Sequence, residues 1–269
     1  GSEGTLGVIT EVSLRLYGIP EAMSAAVCSF DTLEGAVNAV ILTIQSGISV
    51  ARIELLDEAQ IDAVNRYSNL SYPVQPTLFF EFHGSQAGVD EQAQSVGEIA
   101  NEFGGNGFEW TSAAEERTKL WQARHDAYYA AIALRPGAKG WPTDVCVPIS
   151  RLAECILETR KDVDAQELLA PIVGHVGDGN FHLTFVLDPD DADEMRRIEE
   201  VNGRMIARAL AMGGTCTGEH GVGYGKIQFL ENEHGPGALD VMRSVKAALD
   251  PAGIMNPGKI IKMGTGARG

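Results

Sequence analysis

The densest chemistry in this chain sits in His175-Val-Gly-Asp-Gly-Asn-Phe-His182. Asp178-Gly179 is a strong signal for a two-residue type I′ hairpin turn, because both central residues of that turn need positive φ. With that turn, Gly177 faces Asn180, Val176 faces Phe181, and His175 lies directly across from His182. Cross-strand partners hold their Cβ atoms ~4.5–5.5 Å apart, close enough for two imidazoles to share one cation. Downstream, Gly214-Thr-Cys-Thr-Gly-Glu219-His220-Gly-Val-Gly223 offers a carboxylate in a loop whose glycines let backbone pass close to a ligand. His175, His182 and Glu219 together form a set that suits zinc or another divalent first-row ion, with coordination positions left open for substrate. Taken singly, the histidine pair could be a hydrogen-bonded polar patch and Glu219-His220 a solvated loop. Together they point to a metal.

The elements around these residues follow from periodicity. Alternation puts Val173, His175, His182 and Thr184 on one face of the hairpin, and Ile172, Val176, Phe181, Leu183 and Phe185 on the other, so one face is greasy and one carries chemistry. Before the hairpin, Thr143–Val147 reads as a strand and Ile149–Lys161 as a helix. After it come a helix over Ala192–Met212, closed by Gly213-Gly214, and a return strand at Thr215–Thr217. That order, βαββαβ, is the ferredoxin-like unit.

Upstream, strands near Ala25–Phe30, Val50–Leu55, Thr77–His83 and Gly107–Trp110 alternate with helices. One of these is capped by Asp31 with Glu34 in capping-box spacing; the others cover Glu58–Tyr67 and Val89–Phe103. The expected architecture is α+β: two ferredoxin-like halves with antiparallel sheets and packed helices. A long amphipathic helix over Ala113–Leu134 joins them, and a helical tail over Gly237–Leu249 follows. Val8–Leu16 alternates like a strand, a boundary falls near Gly18-Ile-Pro20, and the last residues, 264–269, read as disordered.

Composition sets outer limits. A hydrophobic share of 44% and a charged share of 22% are those of an ordinary soluble globular protein. A net charge of −16 argues against a nucleic-acid or anionic-membrane partner. Cys28, Cys146, Cys155 and Cys216 show no paired spacing and read as free or buried thiols of a reducing compartment. No run is long enough to span a membrane.

The motifs His-Val-Gly-Asp-Gly-Asn-Phe-His (175–182), Cys-Thr-Gly-Glu-His-Gly (216–221) and Met-Asn-Pro-Gly-Lys (255–259) resemble the C-terminal region of FAD-linked 2-hydroxyacid dehydrogenases of the vanillyl-alcohol-oxidase type. This is the branch of D-lactate dehydrogenase, glycolate oxidase and D-2-hydroxyglutarate dehydrogenase. Gly-Ser-Glu-Gly-Thr-Leu-Gly-Val-Ile-Thr (1–10) resembles the last strand of that family's FAD domain, so residues 1–20 are expected to belong to a truncated FAD-binding domain and 21–269 to the substrate domain. Arg124-His, Thr143-Asp-Val-Cys-Val-Pro148 and Gly214-Thr-Cys-Thr217 bring the likeness nearest to the cytochrome-linked D-lactate dehydrogenases.

The resemblance implies roles. His175, His182 and Glu219 match metal ligands, for zinc or manganese, and His220 matches a general base. Arg124 matches an arginine that binds the substrate carboxylate, with Tyr128 one turn later and Thr184 on the His182 face as further contacts. Glu3, Gly4, Gly7, Val8 and Asn256 fall where the family approaches FAD. The implied reaction is oxidation of a D-2-hydroxyacid, D-lactate first, with hydride passing to FAD. Electrons then leave to a cytochrome, a quinone or an electron-transfer flavoprotein.

The D-2-hydroxyglutarate branch carries a lysine where this chain has Pro142-Thr143-Asp144, which weakens a dicarboxylate substrate. Lacking most of the FAD domain, the chain alone is expected to bind FAD poorly or not at all, and to be inactive. A homodimer is expected. So is a cytoplasmic location in a bacterium or a mitochondrial matrix location in a eukaryote, with a peripheral position at the inner membrane as the alternative. A stand-alone metal-dependent hydrolase or a metal-binding module is the alternative from another class.

Overall fold

The computed structural model describes residues 1–263; the expectation of disorder at 264–269 lies outside the described residues. The first half runs β1 (Ala22–Phe30), α1 (Leu33–Gln45), β2 (Val50–Leu56), α2 (Glu58–Ser68), β3 (Thr77–Gly84), α3 (Gln86–Glu102), β4 (Gly105–Thr111). Its strands lie in the order β4-β1-β3-β2, every neighbour antiparallel. This is the ferredoxin-like order with one extra helix, α2, in the β2–β3 connection.

Two helices, α4 (Ala114–His125) and α5 (Ala127–Ala133), lead to the second half: β5 (Lys139–Pro142), β6 (Val145–Cys146), α6 (Leu152–Ala165), β7 (Ile172–Gly174), β8 (Asn180–Leu187), α7 (Ala192–Ala211). Here β6 and β7 flank β8, and Thr215 bridges back to Cys146. The same topology is thus used twice. The halves meet edge to edge, with β2 pairing β7 through Leu55↔Gly174 and Leu56↔Val173, so one sheet runs through both.

The sheet has helices on both faces. The larger core joins α1, α3, α6 and α7 to side chains such as Phe30, Ile53, Phe80, Phe82, Phe181 and Phe185. A smaller one on the opposite face joins α2, α4 and α5 to Val27, Leu56, Phe79 and Val173. Ile172, Val176, Phe181, Leu183 and Phe185 all lie in the larger core, as alternation predicted, which leaves the His182 face for other work.

Several boundaries differ from expectation. Val8–Leu16 forms no strand: no partner is paired with it among the described residues, and Val8, Val12, Leu14 and Leu16 stand exposed. A strand is defined by its ladder, and alternation alone supplies none. The expected long helix breaks at Asp126 into α4 and α5. The N-cap of α1 is Thr32, whose hydroxyl accepts from the Gly35 N–H at 3.0 Å; Asp31 instead accepts from the Asn106 amide. The tail helix α8 (Leu230–Leu249) starts earlier than its pattern suggested and kinks at Gly235 (φ 77°) before Pro236, which cannot continue a helical ladder. No helix among the described residues is long and apolar enough to cross a membrane.

Candidate functional site

The β7–β8 connection is not a two-residue turn. Residues 176–178 form a 3-10 turn and only Gly179 takes positive φ (80°), so Asp178-Gly179 cannot be type I′. The pairs are Val173↔His182 and Ile172↔Leu183, not His175↔His182. This register lies two residues from the expected one, and because side chains alternate with period two, the faces are unchanged. His175 is therefore a loop residue, yet its ring stands 5.8 Å from that of His182, edge to face.

Each histidine is held through Nδ1. His182 is buried and its Nδ1–H donates to the Thr143 carbonyl at 2.9 Å. His175 Nδ1 pairs with Glu54 Oε1 at 2.7 Å. This leaves both Nε2 atoms facing Glu219 Oε1, at 3.4 Å from His175 and 3.3 Å from His182. His220 Nε2 is also 3.4 Å from that oxygen, and its ring stacks on His182 at 4.7 Å.

The His182 contact is the telling one. Burial holds this imidazole's pKa below its ordinary value, despite the Thr143 carbonyl and nearby carboxylates, so the ring is neutral and Nε2 is a lone pair. That Nε2 is buried with no hydrogen-bond partner. A lone pair facing a carboxylate oxygen is acceptor against acceptor, which a cation between them would resolve. Outer carboxylate or carbonyl partners that fix the ring tautomer are the usual support of metal-bound histidine. The donor set fits a divalent ion at His175, His182 and Glu219.

Two carboxylates that the motif reading did not assign hold this arrangement. Glu54, buried on β2, accepts from His175 and from Arg124 Nε at 2.8 Å. Burial raises its pKa, but the His175 hydrogen bond and the Arg124 charge outweigh that and hold it low overall. The Glu54 hydrogen bond in turn raises His175 above its ordinary value. A lone glutamate in the apolar run Ile53-Glu-Leu-Leu56 was the available signal.

Asp144 anchors the other side. Its Oδ2 accepts from the Thr217 hydroxyl (2.6 Å), the Glu219 and His220 N–H groups (3.1 and 2.9 Å) and Lys226 Nζ (3.3 Å), while Oδ1 accepts from the Asn180 amide (2.7 Å). Burial alone would raise this carboxyl's pKa; the hydrogen bonds from Thr217 and His220 and the Lys226 charge drive it far below the usual range.

Gly218 lies between these anchors, where an added Cβ would fall 2.1 Å from Asn180 Nδ2. Gly218→Ala is expected to cost about 1–3 kcal/mol through overpacking. It should also displace Glu219, lowering divalent-ion affinity roughly tenfold by isothermal titration, as loss of an outer partner does.

The other expected residues divide. Arg124, whose Nη2 lies 3.4 Å from His175 Nε2, belongs to the cluster. Thr184 is buried two residues along β8 from His182. Tyr128 is on α5, with its hydroxyl 3.5 Å from the Gly140 carbonyl, and makes no hydrogen bond to Arg124 or the histidines among the described residues.

Asn256 is exposed, and its Nδ2 donates to the Glu3 carbonyl at 2.6 Å, with Gly4 (φ 69°) passing close to it. Glu3 in turn accepts from the Val222 and Gly223 N–H groups at 2.7 and 3.0 Å, which joins residues 1–5 to the Glu219 loop. Lys246, buried, binds the Thr5 and Met255 carbonyls and completes the clasp. Gly7 and Val8 lie exposed beyond it. The cysteines are unpaired, with Cys216 buried and its thiol pushed up to about 12 by that burial and by Glu233.

A family model described as FAD linked oxidases, C-terminal domain, matches residues 19–260. A Danio rerio protein described as probable D-lactate dehydrogenase, mitochondrial, is 54% identical over 98% of this chain and 53% of its own length. A cytochrome-type mitochondrial D-lactate dehydrogenase of Arabidopsis thaliana is 48% identical over 97% of this chain and 46% of its own. The chain thus spans about half the length of the curated relatives it matches. Among solved structures, 4-ethylphenol oxidase from Gulosibacter chungangensis superposes with a TM-score of 0.70 over 95% of this chain and 56% of that one, at 15% identity. That likeness is one of fold.

Proposed function

The chain belongs to the family of FAD linked oxidases, whose C-terminal domain it carries, and from that premise we propose that it holds substrate and metal in a dehydrogenase of D-2-hydroxyacids, D-lactate first. The observation that carries this reading is the buried, unpartnered Nε2 of His182 facing Glu219 beside the Arg124 guanidinium. In this reading His175, His182 and Glu219 hold zinc or manganese, which when bound supplies a Lewis acid that lowers the pKa of the substrate hydroxyl. FAD, when bound in the whole enzyme, supplies the two-electron acceptor. Residues 1–20 belong with the FAD-binding domain and 21–269 form the substrate domain. Electrons leave to a cytochrome-type acceptor, as the relatives' names suggest, in a mitochondrial matrix or its bacterial equivalent.

The chain's own groups do the rest. Glu54 takes the Nε–H of Arg124 and Nη2 approaches His175 Nε2 at 3.4 Å, which fixes the guanidinium plane and leaves its remaining N–H groups for the substrate carboxylate. His220 accepts the hydroxyl proton at Nε2, and its stacking on His182 sets the ring's position. Thr184 adds a contact from β8.

Oxidation of D-lactate, glycolate and D-2-hydroxyglutarate by the full-length enzyme tests the substrate; indifference to D-lactate would overturn the assignment. Arg124→Lys keeps the charge but loses the planar fork, and kcat/KM for D-lactate is expected to fall roughly 10- to 100-fold. Glu3, Gly4, Gly7, Val8 and Asn256 form the rim toward FAD. Asn256→Ala in the full-length enzyme should open the clasp and weaken flavin retention while metal content is unchanged. Metal loss of equal size would contradict that separation.

A further inference from the structure

Outside this cluster, the face of the sheet under α4 carries an open cavity of about 330 Å³, lined by Met23, Arg52, Glu81, Arg117, Trp121 and His125 among others. Two buried donors of its wall, Arg117 Nε and Trp121 Nε1, have no hydrogen-bond partner. Buried N–H groups without an acceptor are rare, and two on neighbouring turns of one helix call for a ligand that brings acceptor oxygens.

The charges agree. Arg52 pairs with Glu81 at 3.3 Å, and Glu81 also takes His83 Nε2 at 2.8 Å, so this carboxylate is already engaged. Arg117 makes no ion pair among the described residues. In a chain of net charge −16, two guanidiniums against one shared carboxylate make a local cationic spot. The Arg52 guanidinium lies 4.0 Å from the Trp121 ring centroid, over one face of the indole whose buried N–H lacks an acceptor.

We propose that this cavity is a second, oxyanion-binding site, distinct from the Arg124 position and taking a small carboxylate or phosphate against Arg117 and Trp121. Arg52 precedes Glu54 by two residues on the same face of β2, about 6.6 Å along the strand, so the two positions are neighbours without sharing groups.

The test uses the ¹⁵N-labelled 269-residue chain, whose three tryptophans give separate indole N–H signals, with Trp121→Phe identifying the relevant one. Inorganic phosphate is titrated in one arm and acetate in the other at constant ionic strength. The Trp121 signal is expected to move saturably, and the arm that saturates at lower concentration identifies the chemistry. Arg117→Gln should weaken that response about tenfold while Arg124→Gln leaves it intact, with the Trp110 and Trp141 signals reporting that each variant is folded. An unmoved Trp121 signal in both arms would overturn the proposal. So would a response lost in Arg124→Gln and kept in Arg117→Gln, which would place the anion at the hydroxyacid position.

Discussion

His182→Ala is expected to abolish stoichiometric binding of zinc or manganese, lowering affinity by more than the ~10- to 100-fold that loss of an outer partner costs. No other ligand of the cluster is so fully prepared. Its ring is buried, its Nδ1–H is committed to the Thr143 carbonyl, and its Nε2 has no partner. Competition with a chromophoric chelator measures the change, and full occupancy in the variant would show that the ligands are wrong. His220→Ala is the informative companion. That ring is exposed and stacks on His182 from outside the three-ligand set, so the variant should keep its ion and lose proton transfer in the full-length enzyme. Equal ion loss in both variants would instead point to the alternative grouping of Asp144, His182 and His220.

Asp144→Ala should be the most destabilising substitution at the site. The carboxylate gathers donors from Thr217, Asn180, Lys226 and the Glu219 and His220 backbone, and Lys226 is itself largely buried against it. Removing one partner of a buried ion pair leaves the other uncompensated, which costs about 3–5 kcal/mol. The loop that carries Glu219 and His220 loses its anchor in the same step, so ion binding should fall with stability.

The pH dependence follows from the depressed folded-state pKa of Asp144. A carboxyl lowered on folding contributes fully above its unfolded pKa, ~3.9, and loses that contribution as pH falls toward the folded value. Urea midpoints taken from pH 7 downward should therefore show a constant gap between wild type and Asp144→Ala until about pH 4, narrowing below it. A gap that grew on acidification would sink this account.

Local chemistry carried much of this in the sequence. Alternation around the hairpin sorted Phe181, Leu183 and Phe185 into the main core, and His182 and Thr184 onto the opposite face. The βαββαβ order, read twice, matches strand orders β4-β1-β3-β2 and, in the second half, Thr215 beside β6, then β8 and β7. Such readings succeed because side-chain period and helix punctuation act within a few residues of each other. They also survived an error: the turn was wrong, but a two-residue change of register preserves every face.

What only the tertiary structure decided is how distant segments close on the ligands. Gly174 packs so near Phe181 that a Cβ there would fall 2.8 Å from the Asn180 carbonyl, and the ladder pairs Val173 with His182, which leaves His175 in the loop rather than opposite His182. The β2–β7 seam then brings Glu54 under His175 from 121 residues away, and Asp144 reaches the Glu219 loop across 75. Neither carboxylate has a neighbour in sequence that announces its partner. His175, His182 and Glu219 could be grouped as candidate ligands from the sequence alone, and the fold brings their ligand atoms within 4.8 Å of one another. Their support was decided by the edge-to-edge joining of the two halves, a long-range pairing that no local pattern encodes.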